Sequence, residues 1–263
     1  MAGNTPATPV LRTVGATARD HANATAWDGA VGSPGSDDTI EIGEFYADAD
    51  FLDNDLLLGS WTTTNFHNVI MRAAPGHEWS GIDGEAGKVR FKPTTGTFIM
   101  QKNATTNNEG EMHGFEFDGS GVGFTGRVTF GLVHLRSNNW KTSRCSFHHN
   151  PLGAGLSHDP DFAFNTVVNC AMAHNGGDGY RDHQSASQAT LFLFCVFYKN
   201  AGWGMARNVN NQQDRAFNCA FFENTLGSVQ FPENAQGGWC IMDDQSITDS
   251  GFNWLEIIEN ATL

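Results

Sequence analysis

An all-β solenoid, a parallel β-helix with about 25 residues per coil, is predicted by three features of the chain. First, the segments CSFHHN, CAMAHN, CVFYKN and NCAFFEN place Cys145, Cys170, Cys195 and Cys219 at spacings of 25, 25 and 24 residues. Second, each cysteine is followed at fixed offsets by a large apolar residue (Phe147, Met172, Phe197, Phe221) and by an asparagine (Asn150, Asn175, Asn200, Asn224). Third, only 17% of the residues are charged while the chain carries 30 Gly and 20 Phe. That composition suits short strands and turns, and not a bundle of helices with Glu- and Lys-rich faces. Leucine-rich repeats share the period but need spaced leucines, which these units lack.

The elements follow in order. Residues 1–10 are small and Pro/Thr-rich, and read as a flexible arm. Residues 11–38 hold a strand from Arg12 and a short helix within Asp20–Val31, with Asp20 as its cap and Trp27 on its packing face. SPGSDD at Ser33–Asp38 is a turn cluster. From residue 39 to 251 short runs follow one another: TIEIGEFY, DLLLGSW, NVIMRAA, KVRFKP, GTFIMQK and then the repeats. In each repeat a Gly-containing turn follows the asparagine, and a further short strand follows the turn: PLGAGL, GGDGYR, AGWGMA, TLGSVQ. CIMDDQ at Cys240–Gln245 is a degenerate fifth copy. Residues 252–263, with the apolar run FNWLEII, read as a terminal strand or cap.

Stacking explains the columns. In a parallel coil, equivalent residues lie one above another, about 4.8 Å apart. Phe147, Met172, Phe197 and Phe221 then form one inward stack and the four cysteines another. The asparagines form a ladder at the following bend, where amides bond from coil to coil. Single thiols, one per coil, cannot surround an ion tetrahedrally as paired Cys-x-x-Cys sites do. The cysteines, five in all, therefore read as reduced core residues, and no metal or other cofactor is expected.

The formal charge of −14 argues against direct nucleic-acid binding, which needs clustered Lys and Arg. The longest apolar runs, such as LFLFCVF, are strand length, so membrane insertion is not expected. MAGNTPATPV has no basic region followed by an apolar one, so no secretory signal is expected. Sequons at Asn23, Asn103 and Asn260 are read as chance.

RTVGATARDHANATAWDGAV resembles the opening of a group of right-handed parallel β-helix proteins, in which a strand, a linker and a small helix cover the first coil. GSWTTTNFHNVIMRAAPGHEWSG, Gly59–Gly81, resembles the next part of that pattern. The resemblance extends over roughly residues 11–245. Such proteins occur among bacteriophage structural proteins. The resemblance implies right-handed winding, a capping helix and a place as a capsid decoration or other surface-exposed virion protein. It also implies capsid or other virion proteins as partners, possible homo-oligomers, and synthesis in the host cytoplasm without a signal peptide.

The alternative is a tailspike-type protein that binds or cleaves a host-surface polysaccharide, as a lyase or glycoside hydrolase. Its best catalytic candidates are Asp178, Arg181, Asp182 and His183 in DGYRDH, expected on a loop standing out from the body. Carboxylate, guanidinium and imidazole together suit proton abstraction and charge stabilisation, and paired carboxylates suit glycoside hydrolysis. A second polar cluster, His148, His149, His158, Asp159 and Asp161, belongs to the adjacent coil. Ordinary surface polarity or a subunit contact accounts for both clusters equally, and the reading taken is a non-enzymatic structural protein.

Overall fold

The computed structural model describes residues 8–31, 39–59, 68–103, 110–136, 139–159, 165–183, 190–207, 214–230, 236–238 and 240–242. Among them, every strand pairing is parallel, and the strands form three sheets of nine, seven and seven. The chain is a parallel β-solenoid. Six consecutive turns contribute one strand to each sheet, from Val69–Ala73, Arg90–Phe91 and Met100–Asn103 to Arg215–Phe217, Ala220–Phe222 and Gly227–Val229. One turn in the middle is Trp140–Ser143, Ser146–His148 and Leu156–His158. The next is Asn165–Val168, Ala171–Ala173 and Tyr180–Asp182.

The register stacks the repeat residues. Phe147 pairs with Met172, Met172 with Phe197 and Phe197 with Phe221, all fully buried. The column continues upstream through Phe117, Phe91 and Phe51. Rings that meet directly lie nearly parallel: 5.1 Å and 4° for Phe117–Phe147, 4.6 Å and 3° for Phe197–Phe221. Each buried side chain of this size contributes roughly 1.5–3 kcal/mol, which is realised only because the neighbouring coil covers it. Cys145, Cys170, Cys195, Cys219 and Cys240 are all buried and free. Burial pushes the Cys170 thiol well above its ordinary range.

The bends have a repeating conformation. The residue before each repeat cysteine (Arg144, Asn169, Phe194, Asn218) and the residue before each asparagine (His149, His174, Lys199, Glu223) have φ between 50° and 60°. Left-handed backbone at non-glycine residues is costly, and coil-to-coil hydrogen bonds hold it here. Arg144, Asn169 and Phe194 donate to Val168, Leu193 and Phe217 of the following coil, and His174 donates to Tyr198.

The asparagines form a ladder just beyond, buried at Asn150, Asn175 and Asn200 and half-buried at Asn224. Asn150, Asn175 and Asn200 each donate a main-chain N–H to the side-chain oxygen of the next asparagine, at 3.1, 3.2 and 3.2 Å. Their amides also reach back to the main chain: Asn175 Nδ2 to Phe147, Asn200 Nδ2 to Met172, Asn224 Nδ2 to Phe197. This explains the glycine that follows each turn. A Cβ at Gly155, Gly179 or Gly204 would lie 2.7, 2.9 or 3.1 Å from the Nδ2 of Asn175, Asn200 or Asn224.

Three local expectations are corrected. The first strand is Thr8–Val14, not a strand from Arg12, because all seven residues pair with Thr39–Phe45; residues 8–10 therefore belong to a sheet rather than to an arm. The helix is Ala24–Ala30, and its cap is Asn23, whose Oδ1 accepts from Ala26 N at 2.8 Å. Asp20 instead accepts from the N–H and hydroxyl of Thr13. Trp27 is fully buried, edge-on to Phe45 at 5.6 Å, and lies over Gly43. Asp161, Gln245, the terminal run 252–263 and Asn260 lie outside the described residues, as do residues 1–7. No helix among the described residues is long and apolar enough to cross a membrane.

Candidate functional site

The four residues of DGYRDH do not form a projecting loop. Tyr180–Asp182 is a strand of the third sheet, and its alternation turns Tyr180 and Asp182 inward and Arg181 outward. Asp178 is only 2% exposed. One of its oxygens takes the Arg181 guanidinium at 2.6 Å and the other accepts from Trp203 N at 2.8 Å. Asp182 is fully buried between His158 and Arg207, its register partners on the two sides. His183 lies on the outside against Phe130, and burial followed by the nearby Arg181 lowers it to about 4.

An interior polar network explains this arrangement. His158 Nδ1 and the Tyr180 hydroxyl both meet Thr190 Oγ1, at 3.2 and 2.9 Å. Thr190 N donates to Asp214 Oδ1 at 2.6 Å, and Arg207 Nε donates to Asp214 Oδ2 at 3.0 Å. Burial lowers His158 to about 3 and raises Tyr180 and Asp214 above their ordinary values. Side chains committed in this way cannot reach a sugar.

The second predicted cluster divides between two sheets. His158 is in the interior network, while Asp159 pairs with Arg136 at 3.2 Å. His148 and His149 lie on the outer face of the second sheet. There the structure assembles a group that the sequence did not single out: Asp83, Glu116 and Asp118 around the two histidines. Glu116 and Asp118 are outward positions on one strand, with Ser146 and His148 as their register partners on the next coil. The chain between Ala73 and Arg90 leaves the sheets and lays Asp83 over this face. Asp83 accepts from Ser146 Oγ at 2.8 Å and from Trp79 Nε1 at 3.2 Å.

His148 is the hub. Its Nε2 is 3.0 Å from Glu116 Oε1 and 3.7 Å from Asp83 Oδ1; its Nδ1 is 2.6 Å from His149 Nδ1 and 3.7 Å from Asp118 Oδ1. Glu116 is fully buried, and its Oε2 has no hydrogen-bond partner among the described residues. Asp118 is held as an anion below its ordinary value: desolvation opposes this, and Lys92 at 2.7 Å with Ser120 overcomes it. Two triads, Asp118–His148–His149 and Asp83–Glu116–His148, each bring their ligand-type atoms within 4.8 Å of one another.

A third arrangement lies on the outer face of the third sheet. His134 Nδ1 meets Ser157 Oγ at 2.9 Å, with the Phe130 ring tilted against the imidazole at 4.2 Å. Both residues are fully buried, and burial lowers His134 to about 3. This serine has no access to substrate. A cleft of about 420 Å³ between the helix start and residues 49–54 is lined by Asp50 and Asp53, and by none of the DGYRDH residues. Asp50 is paired with Arg90, and Asp53 accepts from Thr25.

No protein family, curated protein or solved structure matches the chain.

Proposed function

We propose that this solenoid is a non-enzymatic structural module, carried on the outside of a bacteriophage-type particle as a capsid decoration or related surface protein. The observation that carries the non-enzymatic part is the fate of DGYRDH. Asp178 and Arg181 neutralise each other, Asp182 faces the interior, and His183 lies beside Phe130. They do not face one another across a groove, which glycoside hydrolysis requires of its carboxylates. The particle assignment is supported by the likeness of the opening segments to β-helix virion proteins. To the same reading belong right-handed winding and a role for the helix around Trp27 as cover of the first coil.

The outer face of the second sheet is consistent with a protein partner. Downstream of His148 it changes from buried polar groups to exposed apolar ones, Val196 and Ile241, with Phe194 at the adjoining bend. Virion proteins, or further copies of the chain, are the partners proposed.

Two measurements test the reading. The purified chain, incubated with a panel of neutral and acidic polysaccharides, is expected to release neither reducing ends nor unsaturated products. Antibody labelling and mass spectrometry of purified particles from the source culture are expected to find the chain on the particle surface. Turnover of any polysaccharide, abolished by Asp178→Asn or Asp182→Asn in a folded protein, establishes the tailspike-type alternative. Absence from every particle refutes the virion assignment.

A further inference from the structure

We propose that Asp118, His148 and His149 form a binding site for one divalent transition-metal ion of the zinc class. Three independent features of the outer face of the second sheet converge on it.

The first is backbone geometry. Adjacent residues in a strand point to opposite faces, so His148 and His149 would ordinarily diverge. His149 has φ 60°, and that bend brings its ring to the same side as His148. The two Nδ1 atoms lie 2.6 Å apart, closer than ordinary nitrogen-donated hydrogen bonds. Two imidazole nitrogens at this separation share one proton, and both come within reach of a common ion once His149 swings outward.

The second is the tautomer of His148. Glu116 Oε1, a carboxylate oxygen that also accepts from Gly84 N at 2.8 Å, lies 3.0 Å from His148 Nε2. A carboxylate can only accept, so Nε2 carries a hydrogen, and Nδ1 is the ring nitrogen that faces His149 and Asp118 and is left to bind an ion. A carboxylate that holds the distal N–H of a ligating histidine is the usual support of a metal site, fixing ring orientation and raising ligand basicity. Lys92 and Ser120 orient Asp118 in the same way.

The third is unmatched polarity. Glu116 Oε2 is buried without a hydrogen-bond partner among the described residues, and burying a carboxylate oxygen unsatisfied is costly. Among the described residues, Asp118 alone of the three carboxylates has a lysine or arginine partner. Asp83 and Glu116 are bound by Ser146, Trp79, Gly84 and His148. A dication beside His148 supplies the missing positive charge.

Two imidazoles and one carboxylate select zinc, cobalt or nickel over calcium or magnesium, which prefer all-oxygen shells. Three protein ligands leave a further position for water or an external donor. His149, at the exposed edge of the site, is the ligand that moves to admit the ion, because two nitrogens on one tetrahedral zinc lie roughly 3.3 Å apart and the two Nδ1 atoms start at 2.6 Å.

The test uses the full chain, stripped with chelator and titrated with Zn²⁺ by calorimetry, and with Co²⁺ by visible absorption. One equivalent should bind, with a cobalt ligand-field spectrum free of a thiolate charge-transfer band. His149→Asn keeps a residue that tolerates the left-handed bend and removes the ligand. It should retain the metal-free melting temperature and lose at least tenfold in Zn²⁺ affinity. Glu116→Gln, which alters only the support, should weaken binding by roughly 10–100-fold. Lack of saturable binding overturns the proposal. So does affinity unchanged in folded His149→Asn, or a thiolate band, which would move the ion to the cysteines.

Discussion

Asn200 offers the sharpest test of how the shaft is held together. Its side chain is fully buried and makes four hydrogen bonds: Nδ2 to Met172 O at 3.0 Å and to Asn224 Oδ1 at 2.9 Å, while Oδ1 accepts from Asn175 N at 3.2 Å and Asn175 Nδ2 at 3.0 Å. Asn200→Leu conserves bulk and removes all four without admitting water. At about 1 kcal/mol for each lost bond in a buried site, the expected cost is roughly 4 kcal/mol. Position in the ladder sets the rest of the series. Asn224, half-buried at the end of the ladder, makes three bonds, to Phe197 O and from Asn200 N and Nδ2, which gives at most roughly 3 kcal/mol for Asn224→Leu. Asn150 makes two, to Ala154 O and from Leu152 N, which gives roughly 2 kcal/mol. Urea unfolding followed by far-UV circular dichroism measures the order, provided the m-value stays constant. An inverted order, or Asn200→Leu within about 1 kcal/mol of the parent, would refute the ladder as a source of stability. The series is independent of what the protein binds.

Three further outcomes are expected. Trp27→Ala should cost roughly 3–5 kcal/mol. Gly43→Ala, whose Cβ would lie 2.6 Å from the indole, should be destabilising alone and nearly harmless in the Trp27→Ala background; additive costs would place the helix elsewhere. His158 is held neutral at about 3 by burial, whereas the unfolded chain protonates it near 6.5. Its folded value is depressed, so its contribution is complete above about pH 6.5 and lost as pH falls toward 3. Between pH 7 and pH 5 it removes about 2 kcal/mol. His158→Gln should flatten the pH dependence of the urea midpoint by that amount, and an unchanged slope would contradict the assignment. The cysteines should be inert to a thiol reagent in the native protein, and all five should react after unfolding; rapid native labelling would be incompatible with an interior column.

The sequence determined the architecture because the solenoid is written in it as a period. Cys, Phe or Met, and Asn recur at fixed offsets, and stacking needs nothing but equal coil length to bring like residues into register. The columns fade upstream for a physical reason. Phe115 stands where the later coils have cysteine, and the 41 residues from Val69 to its partner Gly110 conceal the continuation through Phe91 and Phe117. The helix was legible from Trp27, whereas its cap was not, since Asp20 and Asn23 offer equivalent acceptors and only the path of the chain selects between them.

Sites were far less legible. DGYRDH reads as a polar loop because local sequence does not reveal that Asp182 aligns with His158 and Arg207 inside the shaft. The outer histidine–carboxylate group is equally hidden, since Asp83, Glu116 and His148 come from three coils and no one of these positions repeats. A repeat specifies its own stacking through local chemistry. The meeting of Asp83 with His148 depends on where a single excursion returns to the shaft, and that is decided only by tertiary packing.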